Sequence, residues 1–346
     1  MRRMLNTLYV TTDGAYLRKD GENVVVTVDD AERLRVPIHL LGGVIGIGRV
    51  SLSSSLMGAC AEAGVTVSFL TSNGRFMARV EGPVSGNVLL RREQYRLADE
   101  PASCGRIVRA IVAAKAANQR GVLQRCLRDY GDTMNPDQRD AIDSAQARLK
   151  EIARHALHLE DTDILRGMEG EAAQRYFAVF PFLLRSQDEA IVFKGRSRRP
   201  PLDPVNALLS FLYTLLVHDC RSALEGVGLD PSMGFLHRPR PGRPSLALDL
   251  MEELRAPLAD RLALSLINRG QIRARDFNME ESGAVLLSDS ARKTVLTAYQ
   301  ERKKEEIEHP FLAETAPLGL LPHLQSMLLA RALRGDLDAY PPLIWR

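Results

Sequence analysis

Apolar positions change their period once along this chain. Up to Val80 they come in short alternating or β-branched runs, as in "TLYVTTDGAYLRKDGENVVVTV" and "VTVSFLTSNGRFMARVEG", the pattern of half-buried strands. Asp13-Gly14, Asp20-Gly21 and Asn73-Gly74 punctuate those runs. Each pair predicts a hairpin, because a type I′ turn needs φ > 0 at both central residues. Between the two strand-rich stretches, "SLSSSLMGACAEAG" predicts a short helix opened by a serine cap and stopped at Gly64.

From Val88 onward the spacing becomes helical. "GRIVRAIVAAKAANQRGVLQRCLRDYG" repeats apolar residues three and four apart and ends at Gly131. "NPDQRDAIDSAQARLKEIARHALHL" opens with an Asn135 cap and Pro136 just inside it. "DPVNALLSFLYTLLVHDCRSALEGVG" is apolar almost all round, which predicts a buried central helix. "SDSARKTVLTAYQERKKEEIEHP" predicts an amphipathic helix that ends before Pro310. The fold class expected is α+β: a small N-terminal β-rich domain over 1–84, then a large all-α domain over 85–346, with "VEGPVSGN" as the hinge.

Composition narrows the function classes. With 346 residues, 45% hydrophobic and 26% charged, the chain has the material for two ordinary globular domains. No apolar run approaches the ~18 residues of a membrane helix, and "MRRMLNTLYV" lacks the apolar core of a signal peptide. Cys60, Cys104, Cys126 and Cys220 are far apart and form no CxxC pair. They fit buried thiols in a reducing cytoplasm better than a disulfide framework or a zinc site. A net charge of +3 is too small to imply nucleic acid; the distribution of charge says more.

Three stretches carry candidate chemistry. In "GFLHRPRPGRPS", His237 is followed by Arg238, Arg240 and Arg243, a cationic strip suited to a phosphate-rich ligand or else a solvated basic loop. In "SLALDLMEELRAPLADR", Ala247, Leu250, Met251, Leu254 and Leu258 share one stripe, while Asp249 and Glu252 fall off it, about 60° apart on a helix. Those acids can be a wet face near a helix N-terminus or half of a metal site. In "DTDILRGMEGEAAQRYFAVF", Gly167 and Gly170 flank Glu169 within a helical pattern. Each interior glycine costs roughly 1 kcal/mol relative to alanine, which asks for a reason such as close approach of another backbone or a ligand; alternatively the helix starts after Gly170. Two carboxylates and an imidazole make a mixed oxygen and nitrogen set, suited to Mg²⁺ or Mn²⁺ rather than to a closed zinc site.

"LRGMEGEAAQRYF", "PPLDPVNALLSFLYTLL" and "GFLHRPRPGRPSLALDLMEELRAPLADR", in that order, resemble the CRISPR-associated endonucleases of the adaptation machinery, the spacer integrases. The likeness extends over essentially the whole chain. It implies that Glu169 of the GxEG motif, His237 and Glu252 are the catalytic metal ligands for Mg²⁺ or Mn²⁺, with Asp249 in support. It also implies the reaction: the 3′-hydroxyl of a short incoming duplex attacks a phosphodiester at the edge of a CRISPR repeat. Double-stranded DNA would then be held by Arg238, Arg240, Arg243, Arg196 and Arg198, with Lys194, Arg199, Arg269, Arg273 and Arg275 as further basic candidates, each of which can equally be solvated charge. Asn206 and Tyr213 either touch substrate or satisfy a core polar network. The implied partners are a second copy of the chain, paired through the β domain, and a small ferredoxin-like companion protein, in the cytoplasm and without a membrane. Two rival readings are a branched-DNA repair nuclease and a non-catalytic DNA-binding scaffold of the same fold.

Overall fold

The computed structural model describes residues 7–71, 76–82 and 88–345. They fall into two compact units, Met1–Gly86 with Asp289–Lys304, and Asn87–Ser288 with Glu305–Arg346. The Asn73-Gly74 turn and most of the expected hinge lie outside the described residues.

In the first unit, strands β1 (Thr7–Val10), β2 (Tyr16–Asp20), β3 (Asn23–Val28), β4 (Ala31–Pro37), β5 (Gly43–Ile47), β6 (Ser51–Leu52), β7 (Thr66–Leu70) and β8 (Phe76–Val80) form two four-stranded sheets. Their orders are β1-β5-β7-β8 and β4-β3-β2-β6. Helix α1 (Ser54–Glu62) is capped by the Ser53 hydroxyl, which accepts from the Leu56 amide, and the chain leaves it through Gly64 at φ +68°. The helix packs against β2 and β7, so that Leu56 and Cys60 join Leu17, Val24, Val44 and Val67 in one buried core.

Turn chemistry departs from expectation in two places. Asp13-Gly14 makes no hairpin: β1 pairs in parallel with β5, and β2 belongs to the other sheet. Asp-Gly specifies a change of direction, whereas the strand's partner is decided by which sheet buries its apolar face. At Asp20 the strands do form a hairpin, but Asp20 pairs with Asn23 and the loop is Gly21-Glu22. Among the described residues, a two-residue loop with φ > 0 at both positions occurs at Asp29-Asp30, at φ 50° and 59°, between β3 and β4. Aspartate tolerates this left-handed backbone, and the pair lacks the glycine that marks such turns in a sequence.

The second unit is mainly helical: α2 (Val88–Asp99), α3 (Pro101–Tyr130), α4 (Pro136–Ala156), α5 (Thr162–Val179), α6 (Pro204–Gly226), α7 (Ser245–Leu254), α8 (Arg261–Asn268) and α10 (Leu321–Leu333). Helix α9 (Asp289–Lys304) clusters with the first unit. Two short ribbons also occur, β9 (Phe277–Met279) with β10 (Val285–Leu287), and β11 (Glu306–Glu308) with β12 (Thr315–Pro317). Pro101 at the first turn, alanine-rich sequence and the absence of an interior proline account for the length of α3. Helices α4, α5 and α7 pack on α3, and α6 covers α7 from another side. Gly105 lets the connection between α4 and α5 lie close against α3, because a Cβ there would collide with the Glu160 carbonyl oxygen. Asn135 closes a full capping box with Gln138 at the start of α4. Among the described residues no helix is long and apolar enough to cross a membrane.

Candidate active site

Helix α7 is buried at every position except Leu248, which is half-buried, and its acids go inward with it. Asp249 is 0% exposed and Glu252 2%, so the wet-face alternative does not hold. Neighbouring helices screen the polar side of α7 as well as its apolar stripe. A buried carboxylate must find partners, and each of these does.

Asp249 organises the loop that precedes α7. Its Oδ2 accepts from the amides of Phe235 at 2.6 Å and Leu236 at 3.0 Å. Its Oδ1 accepts from the His237 amide at 2.9 Å and lies 2.7 Å from His237 Nδ1. Because an ionised carboxylate only accepts, Nδ1 is the donor in this pair, and the ring is turned so that Nε2 points the other way. Nε2 faces Glu252, 3.9 Å from Oε1. Gly234 is required here: a Cβ would lie 2.8 Å from Ser245 and 2.9 Å from the Asp249 carboxylate. From the other side, Arg166 on α5 donates to the carbonyls of Leu236 at 2.7 Å and Phe235 at 3.3 Å.

Glu169 reaches the same place from α5. Helix α5 runs unbroken through Gly167 and Gly170, so it does not begin after them. Nor do other described residues crowd these glycines; among them a Cβ at either would meet nothing within 4 Å. Beside Glu169 they leave open space rather than a close backbone contact.

The residue that joins the carboxylates is Lys115 on α3. Its ammonium pairs with Glu169 Oε1 and lies 2.8 Å from Glu252 Oε2. Glu252 Oε1 is 3.0 Å from Arg255 Nη2. Burial by itself would raise the Glu252 pKa, but Arg255, Lys115 and His237 outweigh it and hold the carboxyl below its usual range. Arg255 begins a π-helical turn, Arg255–Asp260, that continues α7 into α8, an irregularity often found at functional sites. Its guanidinium lies 4.9 Å from the centre of the Tyr213 ring.

Glu169, His237 and Glu252 therefore converge, and Lys115 stands between the two glutamates. Among the described residues no three His, Cys, Asp or Glu side chains form a ready-made metal cluster. The donor set nevertheless fits a divalent ion. Glu252 Oε2 is buried without an aligned hydrogen bond, a cationic group already occupies the space between the carboxylates, and Nε2, the imidazole nitrogen not engaged by Asp249, is the one that faces Glu252.

Residues 8–301 match the family described as CRISPR associated protein Cas1. The chain belongs to the Cas1 family. It is 60% identical to the CRISPR-associated endonuclease Cas1 2 of Rhodospirillum rubrum, with 100% of both chains covered. Among solved structures it resembles a casposase bound to integration product, with TM-score 0.81 at 22% identity over 99% of this chain and 94% of that one. It likewise resembles a Cas6-RT-Cas1–Cas2 complex, with TM-score 0.80 at 24% identity over 98% of this chain, though only 36% of that much longer chain. At such identities the structural likenesses speak to the Cas1 fold.

The basic residues divide by environment. Arg238 is exposed and pairs with Asp163 at 2.8 Å, while Arg240, Lys194, Arg198, Arg199, Arg269, Arg273 and Arg275 are exposed and Arg243 is half-buried. Arg196 turns inward instead. It donates to Asn206 Oδ1 at 2.6 Å and stacks 5.3 Å from the Tyr213 ring centre. Asn206 also bonds Gly195 and Asp203, and the Tyr213 hydroxyl donates to Asp260 at 2.6 Å. Both belong to a core polar network. All four cysteines are free and buried.

Sequence reasoning overlooked Lys115 and Arg255. Lys115 had a signal: it shares a helical face with Ile111, Asn118 and Val122 inside an alanine-rich stretch, and it is 3% exposed. Arg255 had only its three-residue spacing from Glu252, which allows an ion pair on a helix without telling that the pair is buried.

Proposed function

We propose that this chain is a metal-dependent DNA endonuclease and integrase that inserts short foreign DNA into a CRISPR array. The observation that carries the reading is the convergence of Glu169, His237 and Glu252, from α5, the 234–244 loop and α7, in a chain of the Cas1 family. A divalent ion, Mg²⁺ or Mn²⁺, held by those three side chains would polarise the attacking oxygen and stabilise charge on the phosphate.

The remaining work falls to the protein. Asp249 fixes the imidazole of His237 in the tautomer whose Nε2 faces the site. Arg166 and Asp249 hold the 235–237 backbone from two sides. Arg255 neutralises the outer oxygen of Glu252. The exposed arginines 238 and 240, with half-buried Arg243, lie next along the chain and would orient the phosphates of bound DNA. In the reaction, the 3′-hydroxyl of the incoming strand gives up its proton as its oxygen forms a bond to phosphorus at the repeat edge. The bond to the displaced strand's oxygen breaks, and that oxygen takes up a proton. Water in place of the 3′-hydroxyl turns the same step into endonucleolytic cleavage.

The partners in this reading are incoming and repeat duplex DNA, a second copy of the chain through the β-rich domain, and a small ferredoxin-like companion protein, in the cytoplasm. Support for DNA and for a companion comes from the fold's likeness to a casposase bound to integration product and to a Cas1–Cas2 assembly. The test is strand transfer of a labelled 3′-OH duplex into a repeat-bearing plasmid. Product should form with Mg²⁺ or Mn²⁺ and vanish in Glu169→Ala, His237→Ala and Glu252→Ala proteins that still bind duplex. Equal product in EDTA overturns the reading.

A further inference from the structure

The space between Glu169 and Glu252 is filled by a side chain of opposite charge from a third helix. Lys115 is almost fully buried. Burying an ammonium is unfavourable unless its pairing is good, and here two carboxylates supply it. Arg255 engages Glu252 Oε1, which leaves Oε2 as the oxygen facing Lys115. A divalent ion bound by the same two glutamates would share these carboxylates with the ammonium, and two cations so close together repel strongly.

We propose that Lys115 is the built-in counter-cation of this site. It keeps Glu169 and Glu252 neutralised and in place before a divalent ion arrives, must withdraw from their oxygens when the ion binds, and so sets how tightly the ion is held. The inference rests on the metal-dependent reading above and extends it to a residue that acts by positioning and competition. Asn118, one turn further along α3, anchors the helix where the ammonium must move: it donates to the carbonyls of Glu253 and Leu343 at 2.7 and 2.8 Å.

Mn²⁺ binding, followed by the paramagnetic resonance of the free ion, tests the proposal without reading activity. Lys115→Met should bind Mn²⁺ about tenfold or more tightly than the wild type. Its melting temperature should fall below the wild-type value in EDTA and rise further than the wild type's on adding Mn²⁺. Should Lys115→Met fail to fold in EDTA, Lys115→Gln keeps hydrogen-bond donors in place without the charge and should also bind Mn²⁺ more tightly. Unchanged or weaker binding in both Lys115 variants, with binding lost in Glu169→Gln, overturns the counter-cation alone. Absence of Mn²⁺ binding in every protein, wild type included, overturns it together with the metal reading.

Discussion

Two charge-rich segments of the helical unit meet opposite fates. In 249–255, Asp249, Glu252 and Glu253 are buried and Arg255 nearly so. In 194–199, Lys194, Arg198 and Arg199 remain exposed and only Arg196 turns inward. Charge density along the chain does not separate them. What separates them is supply: each buried group is met by partners from another element, such as Lys115 from α3 for Glu252 or Leu343 and Tyr340 from the C-terminal segment for Glu253. A charge goes inside a protein where tertiary structure brings it a partner, and stays in water elsewhere.

That contrast is broken most severely at the convergence point. Replacing Glu169, His237 or Glu252 by alanine should lower strand-transfer rate on the order of a thousandfold, the scale of losing charge stabilisation at the phosphate, with duplex affinity largely kept. Single-turnover assays with binding measured in parallel check this.

Glu253 tests the back of the same helix. Burial pushes its carboxyl up to about 7 against the lowering effects of Tyr340, Leu343 and Gln325. A folded-state pKa above the ordinary 4.5 favours the folded protein below that ordinary value, and the advantage is lost as pH rises through about 7. Urea denaturation between pH 4.5 and 8 should show wild-type stability falling relative to Glu253→Gln, by on the order of 3 kcal/mol. Parallel curves for the two proteins would show that the carboxyl is not the group titrating. Asp260, raised by burial to about 6, contributes in the same direction in both proteins.

A smaller effect isolates positioning. Asp249→Asn keeps size but weakens the hold on the imidazole, and should cost about 10- to 100-fold in Mn²⁺ affinity or activity; the buried amide group must also face the backbone N–H donors of Phe235 and Leu236. The smallest expected effects separate arginines inside from those outside. Arg240→Ala should leave stability unchanged and reduce the salt slope of DNA binding by about 1. Arg196→Ala should instead destabilise the fold by about 1–3 kcal/mol, through the lost charged hydrogen bond to the Asn206 oxygen, which keeps only the Ser197 amide, and the lost ring contacts. Equal behaviour of the two would dissolve the distinction between the segments.

Much of this molecule was legible in its sequence. The caps at Ser53 and Asn135, the stop at Gly131 and the all-round apolar helix at 204–226 are local features, set by residues a few positions apart, and they reappear in the structure. The ordered motifs around Glu169, His237 and Glu252 likewise pointed to the family, because motif order and spacing are properties of the chain itself. Sequence could not reveal that Asp13-Gly14 leads from one sheet into another, since strand pairing is a long-range choice. It could not assign Asp249 and Glu252 to the interior, because helical periodicity reports where apolar side chains lie and is silent about a second helix covering the polar face. It did not bring Lys115 to the two glutamates either: that meeting joins three helices far apart in sequence, and only their packing placed a cation between the acids.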